Sequence, residues 1–302
     1  MRFCYTILAL FLALQGGAQN AVHLGTRDFL VYVPKRITSG AHPLILVLHG
    51  RLGTGSGMVR LADFRPIADR EGVILVYPDG IDRSWNDGRT SSPAYKKGVD
   101  DVDFINRTID YMAAHYPVDS TRVYVTGMSN GGFMTSRLGD ELTKRIAAIA
   151  VVAASVDKDE KPATIPLPVL YLQGTKDPLV PFKGGAIRGG TILSHQETLD
   201  RWVAIDGCDP APVVVTRPDS AHDGTTITKQ TYTNRQTGIQ VVGITVEDGG
   251  HTWPGGWPYL PKAIIGITSR NLDANEAIWE FFRLFRRVSS PKGATGVLPE
   301  GP

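Results

Sequence analysis

Residues Arg122–Thr126 (RVYVT) run straight into Gly127-Met128-Ser129-Asn130-Gly131-Gly132, beyond which Phe133, Met134, Leu138 and Leu142 recur at helical spacing. A short, nearly unbroken apolar run reads as a strand buried on both faces. Apolar residues three and four apart read as one face of a helix. Between them lies G-x-S-x-G. Strand, sharp turn, helix is the setting in which that pattern lifts a serine hydroxyl clear of a sheet as a nucleophile. The turn demands a strained serine backbone, and side chains in place of the glycines would collide with the neighbouring strand and helix. Alone the pattern is common; in this setting it points to Ser129.

Outward from the elbow, similar apolar runs occupy residues 28–34, 43–49, 73–77, 147–153 and 169–172, with a further strand-like run at 239–246. Helical patterns separate them. Residues 102–116 carry Phe104, Ile105, Ile109, Met112 and Ala113 on one stripe, with Asp100, Asp101 and Asp103 at the start, where carboxylates favour the helix dipole. Residues 194–205 and 271–288 read as two more helices. Apolar strands alternating with helices imply the α/β class: a mostly parallel, doubly wound sheet with helices on both faces. No repeat or long linker divides residues 19–288, which read as one domain.

Both ends differ from that domain. Arg2, an apolar run from Phe3 to Leu14 and then Gly16-Gly17-Ala18 have the order of a secretory signal peptide, residues 1–18, too short to span a bilayer. A secreted protein, periplasmic or extracellular, is expected. Residues 289–302 are rich in Pro, Gly and Ser and read as a loose tail. Loss of the leader would remove Cys4 and leave Cys208 as a free thiol, so the core alone would hold the mature fold. Over 302 residues the formal net charge is +2, which gives no reason to expect nucleic acid as a partner, nor a membrane once the leader is gone. Oligomeric state is not legible.

A serine nucleophile needs a base and an acid to orient it. Asp177, in Gly174-Thr175-Lys176-Asp177-Pro178, follows the strand at 169–172 and can reach across from the strand's carboxyl end; Asp157 and Asp159 have no strand directly before them. His251 lies in Asp248-Gly249-Gly250-His251-Thr252-Trp253, where flanking glycines allow a sharp bend. The other histidines after Asp177 are His195, in a helical pattern, and His222, in a polar stretch; both read as surface residues. Donors for a developing oxyanion are expected from the backbone amides of Asn130 and of Arg51 or Leu52, in the glycine-containing loop after residues 43–49, with Arg51 preferred. His49 reads as a tie for that loop. Trp253 and Trp85, each in a loop beyond a strand, are expected to line a substrate cleft. C-x-x-C, H-E-x-x-H, Walker A and dinucleotide-binding patterns are absent, so neither metal nor cofactor is expected.

LHG (48–50), YPDG (77–80), SWN (84–86), GMSNGG (127–132), GTKD (174–177) and GGHTWPGG (249–256) occur in that order. Together they resemble the polyhydroxybutyrate depolymerase-like esterases, a group overlapping the feruloyl and acetylxylan esterases of carbohydrate esterase family one. The resemblance runs from about Asp28 to Arg286. It implies an α/β-hydrolase fold, secretion, no cofactor, Ser129 as nucleophile, Asp177 as acid, His251 as base, and Trp253 close to the triad. Relatives often pair the cysteine equivalent to Cys208 with a later one, which this chain lacks. Arg51 stands where they commonly have a small residue or cysteine. The expectation is a serine ester hydrolase working through an acyl-enzyme on feruloyl or related esters of plant cell-wall polysaccharide. Short hydroxyalkanoate oligoesters are the alternative substrate. A non-catalytic binding protein on the same scaffold is the rival, disfavoured because all three triad residues are present.

Overall fold

The structure is a computed structural model that describes Gly17 and residues 19–287. The leader reading, apart from Gly17, and the tail reading at 289–302 lie outside the described residues. The strands are β1 (Gln19–Leu24), β2 (Arg27–Tyr32), β3 (His42–Leu48), β4 (Ile74–Pro78), β5 (Val118–Met128), β6 (Ala148–Val152), β7 (Val169–Gly174), β8 (Gly185–Ile187), β9 (Gly190–Ile192), β10 (Val213–Arg217), β11 (Thr226–Thr233) and β12 (Gln240–Glu247). The helices are α1 (Gly55–Leu61), α2 (Arg65–Glu71), α3 (Pro93–Lys96), α4 (Asp101–His115), α5 (Asn130–Glu141), α6 (His195–Asp206), α7 (Lys262–Ile265) and α8 (Ala274–Phe282).

A 10-stranded sheet has the order β1-β2-β4-β3-β5-β6-β7-β12-β11-β10. From β4 to β12 every neighbour is parallel, and antiparallel strands close both flanks. Strand alternation divides the core into two layers. Leu44, Leu46 and Leu48 of β3 join Phe104 and Ile109 of α4, Phe133 of α5 and Trp202 of α6 on one face. Ile45 and Val47 join Met58 of α1, Ile67 of α2 and Phe282 of α8 on the other. The mostly parallel, doubly wound sheet expected from the sequence is the architecture found.

The last helix is shorter than its apolar pattern suggested. Asp273 caps its start, accepting from Asn275 and Glu276 amides, and Arg283 ends it. Beyond, tertiary bonds capture the chain: Tyr124 Oη donates to the Phe285 carbonyl at 2.6 Å and the Arg287 amide to Thr121 O at 2.8 Å. Among the described residues no helix is long and apolar enough to cross a membrane.

Candidate active site

The carboxyl ends of β3, β5, β7 and β12 lie along one edge of the parallel sheet, with β6 between β5 and β7, and each of the four is followed by a loop singled out above. At the end of β5, Ser129 has φ 57° and ψ −122°, a left-handed conformation that costs on the order of 1–3 kcal/mol in a non-glycine residue. Its neighbours are glycine because there is no room. A Cβ on Gly131 would stand 2.5 Å from the carbonyl oxygens of Leu48 and His49, and one on Gly127 would stand 2.4 Å from Gly131 O. The turn therefore packs directly on the backbone of β3, leaving Ser129 partly exposed.

Behind the elbow, buried polar bonds hold the loops. The Asn130 side chain accepts from the Trp85 amide at 2.8 Å and donates to Trp85 O at 3.0 Å and Asp87 Oδ2 at 2.6 Å. Trp85 Nε1 donates to His49 O at 2.8 Å, and its ring lies 4.9 Å from the His49 ring. His49 Nε2 accepts from the Gly80 amide at 2.9 Å, so Nδ1 carries the proton donated to Gly50 O at 2.8 Å. Burial pushes this imidazole below its ordinary pKa, which keeps it neutral. His49 is a tie for the loop, as read from sequence. Below it, Arg27 pairs with Asp101 at 2.7 Å, both buried, and Asp101 Oδ2 accepts from the Asn86 amide at 2.6 Å. Burial raises the Asp101 carboxyl above the usual range, against the pull of the Asn86 amide and Arg27.

The choice between Arg51 and Leu52 as oxyanion donor narrows here. The Leu52 amide donates to Arg83 O at 2.8 Å, and the Arg83 guanidinium bonds back to Leu52 O. Among the described residues, the Arg51 and Asn130 amides have no protein acceptor. Both are free to donate.

Asp177 and His251 meet as the sequence suggested. His251 Nδ1 and Asp177 Oδ2 are 2.7 Å apart, with both side chains buried. Asp177 Oδ1 accepts from the Leu179 and Val180 amides, each at 2.8 Å. A carboxylate accepts, so His251 donates through Nδ1, which in the neutral ring leaves the lone pair on Nε2. The two loops are stitched together by Thr175 N to Val246 O at 3.0 Å and Lys176 N to Gly249 O at 2.9 Å. His251 N donates to Ile265 O at 2.6 Å, anchoring its far side. No hydrogen bond joins Ser129 Oγ to the imidazole in this arrangement; such contacts are commonly long until substrate is bound.

Three sequence expectations are corrected. Trp85 is 0% exposed and Trp253 1% exposed, so neither offers surface to a substrate as arranged. Trp85 backs the elbow, while Trp253 packs edge-on against Phe64, and its Nε1 donates to Asn275 Oδ1 at 2.9 Å. His195, expected at the surface, is 2% exposed and stacks on Phe182 with both ring nitrogens unpartnered; burial lowers its pKa to about 4.

Sequence reasoning missed the apolar rim. Trp257 is 65% exposed, Tyr259 and Leu260 are exposed in the same loop beyond His251, and Ile264 is exposed in α7 just after it. Tyr259 Oη donates to His251 O at 3.1 Å; burial, and then the Asp177 charge, raise its pKa. Leu179, beside the acid, and Leu52, beside Arg51, are also exposed. The available signal was Trp257-Pro258-Tyr259-Leu260-Pro261, large apolar residues in a stretch with neither helical nor strand periodicity. Among the described residues no group of three or more His, Cys, Asp or Glu side chains could hold a metal ion.

No family model matches the chain. Over 253 residues it is 35% identical to the protein named "Putative esterase NocK" from Nocardia uniformis subsp. tsuyamanensis, covering 79% of this chain and 73% of that one. Over 241 residues it is 28% identical to feruloyl esterase B of Piromyces equi, covering 74% of this chain but 42% of the Piromyces protein. The solved structure of an acetyl xylan esterase from Aspergillus awamori shares the fold, with TM-score 0.59 at 19% identity, covering 88% of this chain and 99% of that one. The chain belongs to the esterase family represented by these relatives and is a carboxylic ester hydrolase of the α/β-hydrolase fold.

Proposed function

We propose that the protein is a secreted serine esterase that forms an acyl-enzyme on Ser129. The observation that carries this reading is the buried Asp177–His251 hydrogen bond, at the same end of the sheet as the strained Ser129 elbow. His251 Nε2 takes the hydroxyl proton as Ser129 Oγ attacks the ester carbonyl carbon. The carbonyl oxygen becomes an oxyanion facing the amides of Arg51 and Asn130. Collapse of the tetrahedral centre breaks the ester C–O bond, and the alcohol leaves with the proton from His251. Water then gives a proton to His251 and attacks the acyl-enzyme, releasing the acid and restoring the Ser129 hydroxyl. Asp177 holds the imidazole in the required tautomer throughout.

The substrate in this reading is a feruloyl or related acyl ester of plant cell-wall polysaccharide. The name of the Piromyces relative supports it, as do the exposed rings of Trp257 and Tyr259, which suit a flat aryl group. Secretion rests on the order of the first residues: Arg2, the apolar run Phe3–Leu14, then Gly16-Gly17-Ala18. Initial rates on methyl ferulate, hydroxybutyrate trimer and p-nitrophenyl acetate test the proposal. The highest kcat/KM of the two natural-type esters is expected on methyl ferulate. Faster turnover of the trimer would transfer the site to oligoesters, and no turnover of any ester would leave a binding protein.

A further inference from the structure

We propose that Gln173 is a positioning residue for the acid–histidine pair. This rests on the reading of Asp177 as the catalytic acid. Gln173 is next to last in β7 and 1% exposed. Its Nε2 donates to Val180 O at 2.9 Å. The Val180 amide donates to Asp177 Oδ1 at 2.8 Å, and Asp177 Oδ2 accepts from His251 Nδ1 at 2.7 Å. One side chain on a rigid strand is thus linked to the imidazole through a single turn of loop.

The two limbs of that loop are held differently. The near limb, Thr175 and Lys176, is bound to Val246 and Gly249 by backbone hydrogen bonds. The far limb carries both amides that hold Asp177 Oδ1, and it belongs to no helix or strand. There the Gln173 amide reaches back to Val180 O, and two residues on the His195 amide donates to Phe182 O at 2.9 Å. Gln173 Oε1 is buried without a partner. An apolar side chain of the same length would spare the unpaired Oε1 but would leave the Val180 carbonyl without its donor. The bond to Val180 is what the amide supplies. Without it the far limb can shift, and the carboxylate swings off Nδ1.

Gln173→Met keeps the length of the side chain and removes the donor. Its kcat is expected to fall about tenfold to a hundredfold with KM within about twofold, because the geometry of the chemical step is lost and binding is not. The deciding measurement is a double-mutant cycle with Asp177→Ala on p-nitrophenyl acetate. If Gln173 acts through Asp177, Gln173→Met costs nothing further in the Asp177→Ala background. An equal loss in both backgrounds, or wild-type kcat in Gln173→Met, would overturn the proposal while leaving Asp177 as the acid. Full activity in Asp177→Ala would overturn the acid assignment itself. Should Gln173→Met not fold, Gln173→Glu measured at high pH, with its donor gone and its size kept, takes its place in the cycle.

Discussion

The elbow and the loop beyond His251 are built by opposite rules, though both border the same site. Behind Ser129 nearly every polar atom is spoken for: Asn130, Trp85, His49 and Gly80 form a closed chain of buried hydrogen bonds. Beyond His251, Trp253 is sealed into the core, but four residues later Trp257 stands in solvent with Tyr259 and Leu260. The first region is overdetermined, so a small change there must propagate into the reacting geometry. The second carries apolar surface that the fold does not use, so changes there should alter what is bound and leave the chemistry alone.

The strongest way to break the comparison is at Gly131. An added methyl meets the carbonyl oxygens of Leu48, the last residue of β3, and His49 just beyond it, each at 2.5 Å, and backbone cannot rotate away as a side chain can. Gly131→Ala should cost on the order of a hundredfold in kcat/KM on every ester, as expected for a displacement of about 1 Å at a reacting group. Near-normal rates, with folding checked by circular dichroism, would mean the elbow is more compliant than its packing implies.

The two tryptophans sharpen it. Trp253→Ala opens a cavity beside Phe64 and should destabilise the fold by about 3–5 kcal/mol, with similar proportional losses on methyl ferulate and p-nitrophenyl acetate. Trp257→Ala should leave the melting temperature unchanged and lower kcat/KM for methyl ferulate by about two- to tenfold, the range of one lost aromatic contact. The rate on p-nitrophenyl acetate should stay within about twofold. Equal losses on both esters in Trp257→Ala would place its role in supporting His251 instead of touching the acyl group.

Much of the fold is legible in the sequence, and the reasons are physical. Strands buried on both faces, such as β3, β4 and β7, must be apolar throughout, so they are visible in sequence. The flanking antiparallel strands are not. β11 (TITKQTYT) is mostly polar, and Val213, Val214 and Val215 of β10 are all exposed on the sheet edge. Helix α1 (GSGMVRL) holds two glycines and little propensity; the Thr54 cap and packing over β4 make it a helix. Among candidate site residues, the placement of Ser129, Asp177 and His251 at one end of the sheet was readable because each sits in a loop leaving a parallel strand, where far-apart segments converge. The tryptophans were misjudged because chain position fixes which loop a ring belongs to but not whether the ring turns outward. Trp85 turned inward to reach the His49 carbonyl, a partner that only the folded sheet brings near. The Gln173 relay left no trace in sequence, since its members are linked by side-chain direction and not by pattern.

The central claim is that ester cleavage passes through a covalent bond to Ser129, and one measurement bears on it directly. Wild-type protein and Ser129→Ala are compared for turnover of p-nitrophenyl acetate, with the fold of each verified. Ser129→Ala should lose activity by a factor on the order of 10⁶, to the residual level left by oxyanion donors and binding alone. Retention of even a tenth of the wild-type rate would contradict the account.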